Sequence, residues 1–127
     1  MKKMGYEEIG ELVAVKVMGW YKHTPEGFNY TVWVDAEDVW HGFIEDFMPS
    51  EDIGDAWKVV DTLCKKHNWR AILDRNNNQT EVNFKNQMGA NLQHYGIAET
   101  APMAICFAAL GSVGIEVNAH DIEDGQS

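Results

Sequence analysis

Ala98-Glu99-Thr100-Ala101-Pro102-Met103-Ala104-Ile105-Cys106-Phe107-Ala108-Ala109-Leu110 sets the architecture of this chain. It opens as a helix opens: Thr100 can cap the first turn, and Pro102 is tolerated inside it. From Met103 onward it is apolar on nearly every side. A helix apolar all round is buried rather than laid on a surface. It is too short to span a bilayer, which takes roughly 20 apolar residues. The stretch is therefore read as the central or sheet-covering helix of a small domain, ended by Gly111 or Gly114.

Two more helices flank the middle of the chain. Ser50 reads as an N-cap, with Glu51 and Asp52 just inside it. Ile53, Ala56, Trp57, Val60, Leu63 and Cys64 then form one apolar stripe. Lys65 and Lys66 sit near the end, where the helix dipole favours cations, and His67-Asn68 closes the helix. Earlier, Ile9, Leu12, Val13, Val17 and Met18 recur at helical spacing between Tyr6 and Met18, and Gly19 ends that helix. His23 to Gly27 is a turn cluster.

Alternation replaces helical spacing elsewhere. Tyr30, Val32 and Val34 alternate with Thr31, Trp33 and Asp35, which predicts a strand; Trp40 to Phe47 reads as a second short strand or an arm. Phe28, Tyr30, Trp33, Trp40, Phe43 and Phe47 crowd this region. They serve either as packing on the core or as an aromatic wall for a ligand or partner. Trp69 to Leu73 and Thr80 to Phe84 read as a hairpin about the turn Arg75 to Gln79, and Lys85 to Gly96 as a polar loop or irregular strand. The expected class is α+β: a small antiparallel sheet with helices on both faces, an α/β/α sandwich. One domain covers residues 1–115, and the acidic run 116–127 is expected to be disordered.

Composition narrows the function. The chain has 127 residues with 20 acidic against 10 basic, a formal net charge of −10. That sign opposes binding to nucleic-acid polymers or anionic membranes, and it suits a basic site on a partner. Cys64 and Cys106 are the only cysteines. Both fall on apolar helix positions, without a CxxC spacing, and read as core thiols in a reducing compartment. The N-terminus has no apolar h-region of a signal peptide.

Catalytic and metal signatures are missing from the sequence. The five histidines, His23, His41, His67, His94 and His120, form no HxH or HExxH, and no GxSxG or phosphate-binding glycine loop occurs. Glu37-Asp38, Glu45-Asp46 and Glu51-Asp52 read as solvated faces and helix starts. Neither an enzymatic activity nor a cofactor or metal site is expected. A binding set remains: Arg70, Arg75 and Lys85 on or near the hairpin, Phe84 at its end, Asn91, Gln93 and Tyr95 after it, and Glu99-Thr100 at a helix start whose free N–H groups suit an anion. Aromatic faces stack on bases, amides read base edges and cations meet phosphate; the alternative is that Phe84 is core and the basic residues decorate a sheet surface.

Three blocks carry a family likeness: Lys16-Val-Met-Gly-Trp20, Pro49-Ser-Glu-Asp-Ile-Gly-Asp-Ala-Trp-Lys-Val-Val60, and the apolar run ending at Leu110. In that order the chain resembles the phage ABA sandwich domain family, small proteins of phages and prophages. The resemblance implies a helix–sheet–helix layering and the cytoplasm of an infected bacterium. Similar small phage proteins include the anti-Thoeris sponges, which hold a cyclic ADP-ribose-type signal or a cyclic oligonucleotide without cleaving it, as homo-oligomers (dimers or hexamers) with pockets at subunit boundaries. Phe84 and Glu99-Thr100 are the positions matched to them, whereas Phe107 stands where many members have a basic residue. The resulting expectation is an anti-defence protein that sequesters a nucleotide-derived signal through Arg70, Arg75, Phe84, Asn91, Tyr95, Glu99 and Thr100. The alternative is an acidic protein–protein interaction module, an inhibitor of a host protein, or a phage accessory protein without a small ligand.

Overall fold

A computed structural model describes residues 3–122, apart from the side chains of Asn91, Gln93 and His120. Helix α1 (Tyr6–Leu12) runs into a π-helical turn, Val13–Val17. Strands β1 (Tyr21–His23), β2 (Val32–Val34) and β3 (Trp40–Phe43) follow, then α2 (Ile53–His67), β4 (Arg70–Arg75), β5 (Thr80–Lys85), β6 (Asn91–Ala98) and α3 (Ala101–Ser112). The α+β class and the antiparallel pairing are as the sequence implies. The strands divide into two sheets, ordered β1-β2-β3 and β4-β5-β6, rather than forming one.

Helix α3 is the middle layer. Its cap is the one expected, with Thr100 Oγ1 accepting from the Met103 N–H (3.4 Å). Every residue from Met103 to Leu110 is buried. Strands β5 and β6 cover one side of it, and α2 and the π-helical turn cover others. Thr80, Val82 and Phe84 of β5 point inward, while Glu81, Asn83 and Lys85 of the same strand are half-buried. β6 lies against α3 at Gly96, where even a methyl group would overlap the backbone of Ala104 and Ala108. The opposite face of β4–β6 carries no helix of this chain among the described residues: Ile72, Tyr95 and Ile97 are exposed there.

Two local expectations shift. The cap of α2 is Asp52, whose Oδ2 accepts from the Asp55 N–H (2.8 Å). Ser50 instead is fully buried and donates to the Tyr6 carbonyl (2.7 Å), pinning α1 to the α2 entrance. On α2 the buried side is Ala56, Val59, Val60 and Leu63, and Ile53 and Trp57 lie exposed. Of the two readings of the region before α3, polar loop or irregular strand, the structure has the second: it contributes the eight-residue strand β6.

The start of the expected disordered tail is packed. Val117 and Ile122 are buried, and Ile122 bridges to Met4. These two apolar side chains, four and nine residues beyond Val113, give the segment something to bury, which the acid-rich composition concealed. Residues 123–127 lie outside the described residues.

Candidate functional site

The small β1–β3 sheet concentrates exposed aromatic groups. Gly19, at φ +75°, turns the chain out of the π-helical turn and into β1. The register then aligns Tyr21 with Val34 and Val34 with Trp40, and His23 with Val32 and Val32 with Phe43. Cross-strand partners share a face. Tyr21, His23, Trp40 and Phe43 therefore flank Val32 and Val34, which are only 2% exposed beneath them. Phe43 meets Tyr30 edge-on (5.3 Å between centroids), and Tyr30 meets Phe28 (5.1 Å). Tyr21, Phe28, Trp40 and Phe43 remain 45% to 58% exposed, so the patch is open to a partner.

The other face of this sheet fixes it to the core. Trp33 is 1% exposed and lies against Trp20, and Trp20 packs on Phe47. His41 stacks on Trp20 at 4.4 Å and 11°. A bulge in β3, between its pairings to Val32 and Val34, turns His41 to this side while Trp40 and Phe43 stay on the outer one.

The turn between β2 and β3 is built on Asp35. Its Oδ1 accepts from the backbone N–H groups of Glu37 (2.8 Å) and Val39 (3.0 Å), and its Oδ2 from His41 Nε2 (2.8 Å). The hydrogen bond from His41, and then those from the backbone, hold the Asp35 carboxyl below its ordinary pKa. Asp38 sits at φ +66°, a conformation that Asp tolerates, and receives the Tyr21 hydroxyl (2.8 Å). That bond, with the nearby negative charge, raises the Tyr21 pKa. The turn thus holds one edge of the patch by polar contacts at the protein surface.

The stretch of chain that builds the patch is also rich in acids. Between Tyr21 and Asp46 the chain has six carboxylates, Glu26, Asp35, Glu37, Asp38, Glu45 and Asp46, against one lysine. That lysine, Lys22, pairs with Glu11 (3.2 Å) and lies over the Trp33 ring (5.9 Å).

A family model for the phage ABA sandwich domain matches residues 11–110. The chain belongs to the phage ABA sandwich domain family. Comparison with curated proteins and with solved structures finds no match.

In this family member the residues expected to hold a nucleotide do not converge. Phe84 is fully buried and packs against Trp69 (5.6 Å), so it has no free face for a base. Alternation along Thr80-Glu81-Val82-Asn83-Phe84-Lys85 carried that information, since Phe84 shares its side with Val82. Arg70 and Asn91 both align with Lys85 at one end of the sheet. Arg75, Glu99 and Thr100 lie at the other, about 17 Å away for five residues of strand. Arg75 is occupied: Nη1 donates to Thr80 Oγ1 (2.8 Å) and to the Glu99 carbonyl, tying the β4–β5 hairpin to the α3 entrance. Thr100 is used as a cap. Tyr95 is exposed, beside a cavity of about 380 Å³ that Gly96, Phe107, Glu116 and Asn118 also line.

Among the described residues no group of three His, Cys, Asp or Glu side chains is placed to hold a metal ion. Burial raises the Cys106 thiol far above its ordinary pKa, and raises Cys64 as well. Tyr21 and His23 escaped sequence reasoning because three residues are too few to show alternation, and His23 leads into a Pro-Gly turn.

Proposed function

We propose that this phage ABA sandwich protein is a binding module that engages a basic segment of a partner protein on the aromatic face of β1–β3. The observation that carries the reading is the coincidence of Tyr21, Phe28, Trp40 and Phe43, all exposed, with six carboxylates in the same stretch of chain. Arginine and lysine side chains pack over aromatic rings and pair with carboxylates. Partner capture needs no catalytic group, and it fits the overall charge of −10. Its setting under this reading is the cytoplasm of the infected host. No helix among the described residues is long and apolar enough to cross a membrane.

Titration with an arginine- and lysine-rich peptide, followed by tryptophan fluorescence, tests this reading. Trp40→Ala and Phe43→Ala should each weaken binding by roughly 30-fold, the ~2 kcal/mol typical of an interface anchor. Asp61→Asn with Glu116→Gln, outside this stretch of chain, should change it by less than about threefold. Equal losses from both sets would mean that net charge alone attracts the peptide, and would overturn the reading.

A second reading, sequestration of a nucleotide-derived signal, draws on the cavity beside Tyr95. Its volume, about 380 Å³, is within the range of small-molecule sites. A thermal-shift screen against cyclic ADP-ribose isomers and cyclic di- and trinucleotides tests it. Ligand at 100 times its Kd should add about 2.7 kcal/mol of stability. No shift across the panel removes this reading and leaves the first intact.

A further inference from the structure

The outer face of β4–β6 has an ordered charge pattern. Three cross-strand rows lie on it. At one end Arg70 stands opposite Lys85; in the middle Ile72 stands opposite Asn83, which is opposite Tyr95; at the other end Asp74 stands opposite Glu81, which is opposite Ile97. Two of these rows place like charges directly across from each other, which is unfavourable within a sheet. Exchanging Lys85 and Glu81 would have given two attractive pairs. None of the four charged side chains makes an ion pair among the described residues. Ile72, Tyr95 and Ile97, the apolar and aromatic members of the face, are exposed.

We infer that this face binds a second copy of the same chain, face to face, about a two-fold axis running along the Ile72–Asn83–Tyr95 row. Such an axis turns the strand direction over while keeping the strand order. It lays Arg70 over Asp74 of the second copy and Lys85 over Glu81 of the second copy, and the reciprocal contacts follow by symmetry. The middle row meets itself, bringing the two Tyr95 rings and the two Ile72 side chains together. Both like-charge rows are thereby neutralised by one operation. Packed sheets sit about 10 Å apart, a distance that long Arg, Lys and Glu side chains bridge. The completed dimer has a helical layer outside each sheet.

The surface available is modest. Three strands about 4.8 Å apart and six residues long at about 3.4 Å give roughly 300 Å² in flat projection per copy. That is about 600 Å² over both copies, below the roughly 1,600 Å² of a standard stable interface, so the contact is a weak one. The dimer is therefore expected to be of micromolar strength and to weaken with salt. It leaves the aromatic face of β1–β3 free, so it stands or falls independently of the proposed partner binding.

Sedimentation equilibrium on the full chain tests the inference. The expected result is a monomer–dimer equilibrium whose dissociation constant rises at least tenfold in Arg70→Glu/Lys85→Glu, and likewise in Asp74→Lys/Glu81→Lys. Each variant alone presents a face of one charge. Mixed in equal amounts, the two variants should associate at least as tightly as the unaltered protein, since each then meets its complement. Circular dichroism on each variant confirms that it folds. A protein that stays monomeric at every concentration overturns the inference, as does a dimer indifferent to both pairs of substitutions. Failure of the folded variants to associate on mixing overturns it too.

Discussion

Gly96→Ala should be among the most destabilising single-atom-scale changes in this protein. A Cβ built at Gly96 would lie 2.3 Å from the Ala104 carbonyl oxygen, 2.6 Å from the Ala108 nitrogen and 2.7 Å from the Phe107 Cβ. Two of the three are backbone atoms in the middle of α3, so no side chain can rotate away, and β6 and α3 must move apart. Overpacking a core by a methylene-sized group costs about 1–3 kcal/mol. The rigid neighbours put this site at the upper end, about 3 kcal/mol. Unfolding entropy of about 2.1 cal/mol/K per residue means that each kcal/mol moves Tm by roughly 4 °C in a chain of 127 residues. Thermal unfolding followed at 222 nm should therefore show Gly96→Ala melting about 10 °C below the unaltered protein. Gly111→Ala is the internal contrast. It lies in the same helix, and nothing stands within 4 Å of its added Cβ, so removing backbone freedom there should raise Tm by up to about 4 °C. Equal melting of Gly96→Ala and the unaltered protein would refute the close approach of β6 to α3.

Other substitutions probe the polar anchors. Arg75→Met removes the donors that join Thr80 to the Glu99 carbonyl, and should cost about 1–2 kcal/mol, with faster amide exchange at the β6–α3 connection as its local signature. Asp35 has a folded pKa below its unfolded one, so its contribution is fully present above the unfolded value, near 4. That contribution is lost as pH falls through the folded value; Asp35→Asn should thus lower Tm at pH 7, and the difference should shrink in melts run near pH 3. The two thiols should separate in a kinetic assay with an aromatic disulfide reagent. Half-buried Cys64 reacts first, and Cys106, fully buried with its pKa driven up, reacts only as fast as the protein opens.

The helices were legible because their signals are local. Thr100 with Pro102 announces α3, and the spacing of Ala56, Val60 and Leu63 announces α2. What the sequence hides are partners far along the chain. Ser50 looks like a cap, and its hydroxyl goes instead to Tyr6, 44 residues away. Arg75 looks free for a phosphate, and is spent on a backbone carbonyl 24 residues on. Phe84 admits two readings, a stacking ring or a core residue, and the inward alternation it shares with Thr80 and Val82 makes it core. The aromatic wall was legible as a cluster between Phe28 and Phe47. Which of its members face out was not, because that depends on a bulge that sends His41 inward and Trp40 outward.

Helix α3 explains why so much of the remaining surface is unusual. Ordinary helices carry a polar side, which fixes their rotation and faces water. From Met103 to Leu110 this helix has none, so its rotation is set by shape, through the one position where β6 lacks a side chain and Ala104 and Ala108 are small. A helix used on every side consumes the neighbouring elements as its cover: the β4–β6 sheet on one side, α2 and the π-helical turn on others. Nothing in the described chain is then left to shield the second face of that sheet. The β1–β3 strands are likewise committed to the core by Trp20 and Trp33 on one side only. Two sheets with one satisfied face each follow from a single unpolarised helix, and the outward faces, one aromatic and acidic, one apolar between opposite charges, are where this fold has surface to spend on partners.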